Sequence, residues 1–204
     1  MGKIERGGMK LHKDIEPFRA TIEAVQRLLV KSDNRGVIIG GIAVGFLGKP
    51  RLTADVDALF LLSVDDIPQF LETARVENIQ PRIPNAEEFA RKNRVLLLQH
   101  SPTHTHIDIS LGILPFEEEM VARGIVRSTS TLSIRLPTPE DLIIMKAIAH
   151  RPKDLEDIRT IIDKNPILDT DRIKNWVNSF GKILEAPTLW EEIADLFNSQ
   201  DQIC

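Results

Sequence analysis

Charge set inside strand-forming sequence limits most what this chain can fold into. Asp55 and Asp57 stand in Arg51-Leu52-Thr53-Ala54-Asp55-Val56-Asp57-Ala58, and Asp108 stands in His106-Ile107-Asp108-Ile109. Apolar β-formers flank each aspartate, so each segment reads as a buried strand that carries charge on one face. A carboxylate in such a place needs a partner. A double glycine, Gly40-Gly41, lies shortly upstream of the first pair.

The remaining chain supplies the elements around these strands. Helical spacing of Ile15, Phe18, Ile22, Val25 and Leu28 predicts an amphipathic helix over 14–29. Val37–Ile39 reads as a short strand, Ile42–Leu47 as a short helix after the glycines, and Asp55–Leu62 as a second strand. Helices are expected over 65–77 and 86–92, with Pro81 and Pro84 between them. Val95–Gln99 and Thr105–Leu111 look like paired strands, followed by a helix at 116–123 and one or two β segments over 125–136. After Pro137 and Pro139 the strand signal stops, and residues 140–198 read as three or four helices broken near Pro152, Pro166 and Pro187. The class is therefore α+β with an α/β-type core and a C-terminal helical bundle. The division falls near residue 137, giving 1–136, with 1–13 as a flexible tail, and 137–204.

With 204 residues, an apolar fraction of 42% and 27% charged residues, the composition is that of an ordinary globular protein. A net charge of −4 leaves no broad basic surface for nucleic acid or an anionic membrane. The single cysteine, Cys204, excludes a disulfide framework and a thiolate metal site. No apolar run approaches the roughly 20 residues of a membrane span, and the charged start is not expected to act as a signal peptide. The expectation is a soluble cytoplasmic protein.

Residues two apart on a strand share a face. Arg51, Thr53, Asp55 and Asp57 line one face if extended, and His104, His106 and Asp108 line another. If the two segments are neighbours, three carboxylates converge. Two like charges about 4 Å apart repel by roughly 4 kcal/mol at an effective dielectric near ~20, so the cluster stays ionised around a cation. Oxygen ligands without thiolates select Mg²⁺ or Mn²⁺, and such ions serve phosphoryl or nucleotidyl transfer. Gly40 and Gly41, between a strand and a helix, let backbone N–H groups approach phosphate. Taken singly, an Asp-x-Asp is usually a turn or surface pair, a Gly-Gly a turn, and His-x-His an exposed strand. The order strand, Gly-Gly, helix, Asp-x-Asp, then a further strand aspartate is what carries weight.

That order resembles the nucleotidyltransferase superfamily, the fold of DNA polymerase β, over residues 36–110. The resemblance implies that Gly40 and Gly41 contact a nucleoside triphosphate, that Asp55 and Asp57 hold metal, and that Asp108 is the third ligand and activates the attacking hydroxyl. Arg51 and Thr53, on the same face, fall among the nucleotide-binding candidates. One departure is Ile42, followed by Ala43, where many members carry Ser or Thr beside the second glycine.

In the helical half, 140–150 is apolar nearly all round except Lys146. Its ammonium either snorkels to water or reaches a triphosphate; His150, one turn on, is a surface residue or a neighbour of the same cleft. Asp154, Glu156 and Asp157 suit the dipole of the helix that opens at Pro152. The pattern Lys146, Ala149, Arg151, Lys153, Asp154, Asp157 also resembles the helical motif of AbiE-type abortive-infection toxins and related bacterial nucleotidyltransferase-like proteins. That resemblance implies phosphate binding by Lys146, cleft roles for Lys153 and Asp157, and a cognate antitoxin.

Three functions follow as expectations. The first is a Mg²⁺-dependent transfer of a nucleoside monophosphate to a hydroxyl acceptor. The second is a nucleotide-binding or protein-interaction module that keeps the fold without turnover. The third is a metal-dependent phosphohydrolase using His104, His106 and the aspartates. A tRNA end, a protein hydroxyl and a small alcohol are all open as acceptors; Arg51, Arg82, Lys92 and Arg94 could line a local groove for RNA.

Overall fold

The computed structural model describes residues 11–198; residues 1–10 of the expected tail, and Cys204, lie outside the described residues. A 3₁₀ turn, Glu16–Phe18, leads into α1 (Arg19–Lys31), which buries Ile22, Val25, Leu28 and Leu29. Then come β1 (Gly36–Ile38), α2 (Gly40–Leu47), β2 (Asp55–Phe60), α3 (Ile67–Val76), β3 (Ile79–Pro81), α4 (Ala86–Asn93), β4 (Val95–His100), β5 (Thr105–Leu111) and α5 (Pro115–Arg123). The hairpin β6 (Ile125–Ser128) and β7 (Ser133–Leu136) precedes four helices: α6 (Pro139–Ala149), α7 (Pro152–Lys164), α8 (Thr170–Ile183) and α9 (Leu189–Asn198). The α+β class is as the sequence predicts.

The main sheet has the order β1-β2-β5-β4-β3. Only β2 and β5 run parallel; the other neighbours are antiparallel. The parallel pair sets Asp55 opposite His106 and Asp57 opposite Asp108. Alternation does the sorting. Val56, Ala58, Leu96, Leu98, Ile107 and Ile109 are fully buried on one face, while Asp55, Asp57, Leu97, Gln99, His106 and Asp108 form a half-buried to exposed face. Sequence patterning misses β3, because three residues ending in a proline at a sheet edge give too short a signal.

The strands stop at Leu136 and α6 starts at Pro139, with Thr138 Oγ1 accepting from the Asp141 N–H as the cap. Helix α6 packs on α7 and α8, and both α6 and α7 also meet α2. One apolar core runs from Ile15 through the sheet to Ile173, Val177 and Ile193. Among the described residues, no helix is long and apolar enough to cross a membrane.

Candidate active site

The site grows from one backbone feature. Gly40, the first residue of α2, has φ +65°, a conformation that costs an L side chain roughly 1–2 kcal/mol. A Cβ there would fall on the Asp57 carboxylate. Just before it, the Ile39 N–H donates to the Asp57 carbonyl at 2.9 Å. The first glycine is thus required twice, by its dihedral and by its closeness to the acid. At Gly41 a Cβ would lie 2.9 Å from Thr53 Cβ and Oγ1 and 3.6 Å from an Arg51 nitrogen. The helix begins at Gly40 itself rather than at Ile42.

Asp55, Asp57 and Asp108 offer carboxylate oxygens that all lie within 4.8 Å of one another. Among the described residues this is the one cluster able to hold a metal ion, and neither His104 nor His106 belongs to it. His104 sits at φ +55° in the turn before β5 and His106 is exposed. Burial, then the neighbouring Asp55 and Asp108 carboxylates, push the Asp57 carboxyl up to about 6; the Lys146 and Lys153 ammonium groups act in the opposite sense. The environment thus penalises negative charge on Asp57, which a cation placed among the three carboxylates would offset. Thr53 Oγ1 donates to Asp55 Oδ1 at 3.0 Å and holds that side chain.

Asp108 has a partner that sequence reading does not assign. Arg82, just past β3, reaches across β4 and donates from Nη1 to Asp108 Oδ1 at 2.5 Å and to the Leu98 carbonyl at 3.1 Å. The proposed groove of Arg51, Arg82, Lys92 and Arg94 does not assemble. Arg51 bonds Asp157, Arg82 bonds Asp108, and Arg94 donates to the Leu111 carbonyl at the far end of β5. Lys92 is exposed on α4. The groove fails because its three arginines are held at three different places, on α7, at the carboxylates and at the end of β5.

A second charged cluster joins the helices to the loop before β2. Lys146 is 5% exposed, so its ammonium does not snorkel to water. It lies 2.8 Å from Asp154 Oδ1 and 2.9 Å from Asp157 Oδ2. Arg51 holds Asp157 with a two-pronged fork at 2.7 and 2.8 Å, and Arg151 Nε lies 2.5 Å from Asp154 Oδ2. Burial alone would raise both carboxyls. The bonds from Arg151 and Lys146 outweigh it and hold Asp154 at about 2, and those from Arg51 and Lys146 lower Asp157. Complementing the helix dipole is therefore a secondary role for these two; Glu156, which is exposed and pairs with Arg159, fits the surface description. Lys153 is exposed. His150 turns away from the cleft to Glu192 on α9, 2.6 Å from its Nε2.

The two clusters face a common cavity of about 170 Å³, lined by Gly40, Asp57, Leu142, Met145, Lys146 and Arg151 among others. Ile42 is outside it: the side chain is 1% exposed and packed in the core.

No family model matches the sequence, and no curated protein matches it either. Solved structures do. An antigenic nucleotidyltransferase-like protein from Paracoccidioides brasiliensis superposes with a TM-score of 0.54 at 15% identity, over 88% of this chain and 93% of that one. The fold is that of nucleotidyltransferase-like proteins. The antibiotic-resistance factor ANT(2'')-Ia is also similar, with a TM-score of 0.52 at 13% identity over 81% of this chain and 94% of that chain. A further structure of ANT(2'')-Ia, in complex with adenylyl-2''-tobramycin, gives 0.51 at 14% identity over 80% and 98%.

Proposed function

We propose that this chain is a divalent-metal-dependent nucleotidyltransferase, moving a nucleoside monophosphate from a triphosphate to a hydroxyl acceptor. The observation that carries the reading is the convergence of Asp55, Asp57 and Asp108 within 4.8 Å beside a glycine that leaves the Asp57 carboxylate uncovered. The donor set, all carboxylate oxygen, suits Mg²⁺ or Mn²⁺. When bound, the ion would supply charge neutralisation and Lewis acidity at the phosphate.

In this reading Asp55 and Asp57 hold the metal, Thr53 fixes Asp55, and Asp108 is the third ligand and takes the proton of the attacking hydroxyl. The acceptor oxygen forms a bond to the α-phosphorus, the bond from that phosphorus to the α–β bridging oxygen breaks, and pyrophosphate leaves. The Gly40 and Gly41 backbone, Lys146 and the exposed Lys153 face the phosphates, while Asp157 holds Arg51 and Lys146 in place. A cavity of about 170 Å³ is smaller than the roughly 300 Å³ at which small-molecule sites begin. It takes part of the nucleotide, and the rest lies over the open carboxylate face. The described residues up to 136 form the catalytic part, and the helices from Pro139 to Asn198 form a cap that supplies Lys146, Lys153 and Asp157, acting in the cytoplasm where triphosphates are plentiful.

The test is incubation with each labelled triphosphate, Mg²⁺ or Mn²⁺, and acceptors spanning RNA ends, protein hydroxyls and small alcohols. Label transfer that disappears in Asp57→Asn is the expected result; no Asp57-dependent transfer across that panel sinks the reading. ANT(2'')-Ia, bound to adenylyl-2''-tobramycin, is the reason small alcohols belong in the panel. The AbiE-type role with a cognate antitoxin rests on the Lys146-to-Asp157 pattern; growth arrest on expression, lost in Asp57→Asn, tests it.

A second reading, a nucleotide-binding module without turnover, draws on the pairing of Lys146 with two aspartates and of Asp108 with Arg82. Calorimetry separates the two: triphosphate binding with Mg²⁺ but no product under any acceptor favours the module.

A further inference from the structure

The open face of the sheet continues past the carboxylates toward the β3 edge, and its composition there changes. Cross-strand partners share a face, so the register lays out one row as Asp55, His106, Gln99 and Gln80 across β2, β5, β4 and β3. The next row is Asp57, Asp108 and Leu97, and it ends at Arg82, whose N–H bonds the Leu97 carbonyl at 3.1 Å. Beyond the three aspartates these rows hold no acid. They hold an imidazole, two carboxamides and a guanidinium.

These groups are poorly occupied by the protein. Arg82 makes its contacts to Asp108, Leu98 and Ile107 through Nη1 alone. Its Nε and Nη2 make no hydrogen bond to the described residues, and the side chain keeps 20% exposure. The His106 and Gln80 side chains are exposed, and neither hydrogen-bonds a described residue. Gln99 spends its amide on the His104 carbonyl at 3.0 Å, which leaves its oxygen open. A guanidinium pinned at one nitrogen, with an adjacent N–H edge free, is pre-organised for an oxyanion.

Position assigns this shelf to the acceptor. The cavity with Gly40, Lys146 and Arg151 lies against Asp57, on the side of β1 and α2. The sheet order places β5 between β2 and β4, so Asp108 is the carboxylate that borders the shelf. A hydroxyl that gives its proton to Asp108 comes in over His106, Gln99 and Arg82.

We propose that the acceptor bears a phosphate group near its reacting hydroxyl, and that Arg82, with His106 and Gln80 beside it, receives that phosphate. The inference rests on the transferase reading for the word acceptor, but the anion site itself does not. A phosphodiester at an RNA end and the phosphate of a small sugar share this chemistry. A polycationic acceptor such as an aminoglycoside does not, because Arg82 meets it as a like charge.

Binding is measured by fluorescence anisotropy of a 5'-labelled ribotrinucleotide with a free 3' end, at low salt and without triphosphate. Competitors are the unlabelled trinucleotide, glucose 6-phosphate, an unphosphorylated nucleoside and tobramycin. The expected result is binding that the phosphate-bearing compounds alone displace, weakened at least tenfold in Arg82→Gln and partly restored in Arg82→Lys. Arg82→Gln also breaks the bond to Asp108, so Gln80→Glu supplies an independent variant: it adds a negative charge to the shelf without touching either residue, and the same weakening is expected. Stronger competition from either phosphate source supports the proposal and tells RNA from sugar phosphate. Absence of binding by both sources, unchanged affinity in Arg82→Gln and Gln80→Glu, or tobramycin competing as well as glucose 6-phosphate overturns it. Calorimetry of the unaltered protein with Mg²⁺ and ATP keeps the two readings apart. If triphosphate fails to bind while phosphate binding still depends on Arg82, the transferase reading falls and the anion site stands.

Discussion

Two charged clusters border the same cavity, and they are built on opposite principles. Arg51, Lys146, Arg151, Asp154 and Asp157 form a closed set in which the cations and carboxylates satisfy one another. Asp55, Asp57 and Asp108 form an open set of like charges, relieved within the protein by Arg82 at one end and by the Thr53 hydroxyl at the other. The carboxyl shifts follow this division. Asp154 and Asp157 are lowered by partners that outweigh burial, whereas Asp57 is raised by burial and by its fellow acids. A closed set contributes to holding helices and loop together; an open one is useful only when something from outside completes it.

The largest expected effect comes from breaking the open set. On the proposed transferase reading, Asp57→Asn removes a metal ligand and a charge that would recruit the ion, and transfer should fall by roughly a thousandfold or more, several kcal/mol of transition-state stabilisation. The fold should survive, because the substitution relieves repulsion. Single-turnover transfer and circular dichroism on the same sample check both halves, and an active Asp57→Asn protein would show that the cluster is not the reaction centre.

Breaking the closed set should have the reverse profile. Asp154 is fully buried, and Asp154→Asn leaves the Lys146 ammonium facing one carboxylate instead of two. Removing one partner of a buried pair typically costs about 3–5 kcal/mol, here a fall in melting temperature of roughly 10 °C for a chain of this size. Because its folded carboxyl sits below the unfolded one, its contribution is present above about pH 4 and lost as pH falls toward 2. A loss of stability under 1 kcal/mol in urea denaturation at pH 7 would mean that the pairing contributes little beyond geometry.

These two sets were not equally legible from the sequence. The open one was, because its parts are local: alternation fixes which face Asp55, Asp57 and Asp108 take, and Gly40-Gly41 marks the turn before a helix. Its partner Arg82 was not, since reaching Asp108 depends on β3, a three-residue edge strand with weak patterning. The closed set depends on pairs such as Arg51 with Asp157, 106 residues apart, and on the angle between α6 and α7, neither of which periodicity encodes. One clue was present. A single lysine in a helix apolar all round must be buried if the helix is, and a buried ammonium requires carboxylates nearby.

A third test sharpens the comparison through pH. The folded Asp57 carboxyl titrates at about 6 against an ordinary 3.8. A raised carboxyl favours the folded state fully below about 3.8, and that contribution is lost as pH rises through 6. Metal must displace the proton, so Mn²⁺ affinity should weaken by up to tenfold for each pH unit below 6 and level off above it. Calorimetric titrations at pH 5, 6 and 7.5 measure this. An affinity that stays flat across that range would remove Asp57 from the ligand set.

The smallest effect concerns Ile42, where sequence reading sees a missing hydroxyl for phosphate. The side chain is packed in the core, and the neighbouring position whose Cβ would point at Thr53 and Arg51 is Gly41. A hydroxyl at 42 would therefore be buried rather than offered to a ligand. Ile42→Ser removes apolar contacts and adds a polar group to the core, which should cost about 2–4 kcal/mol if that hydroxyl finds no partner and less if it back-bonds within α2. Triphosphate affinity, measured at a temperature where the variant is fully folded, should change less than twofold. A gain in affinity of tenfold or more would mean that α2 presents residue 42 to the cavity between the closed and open clusters.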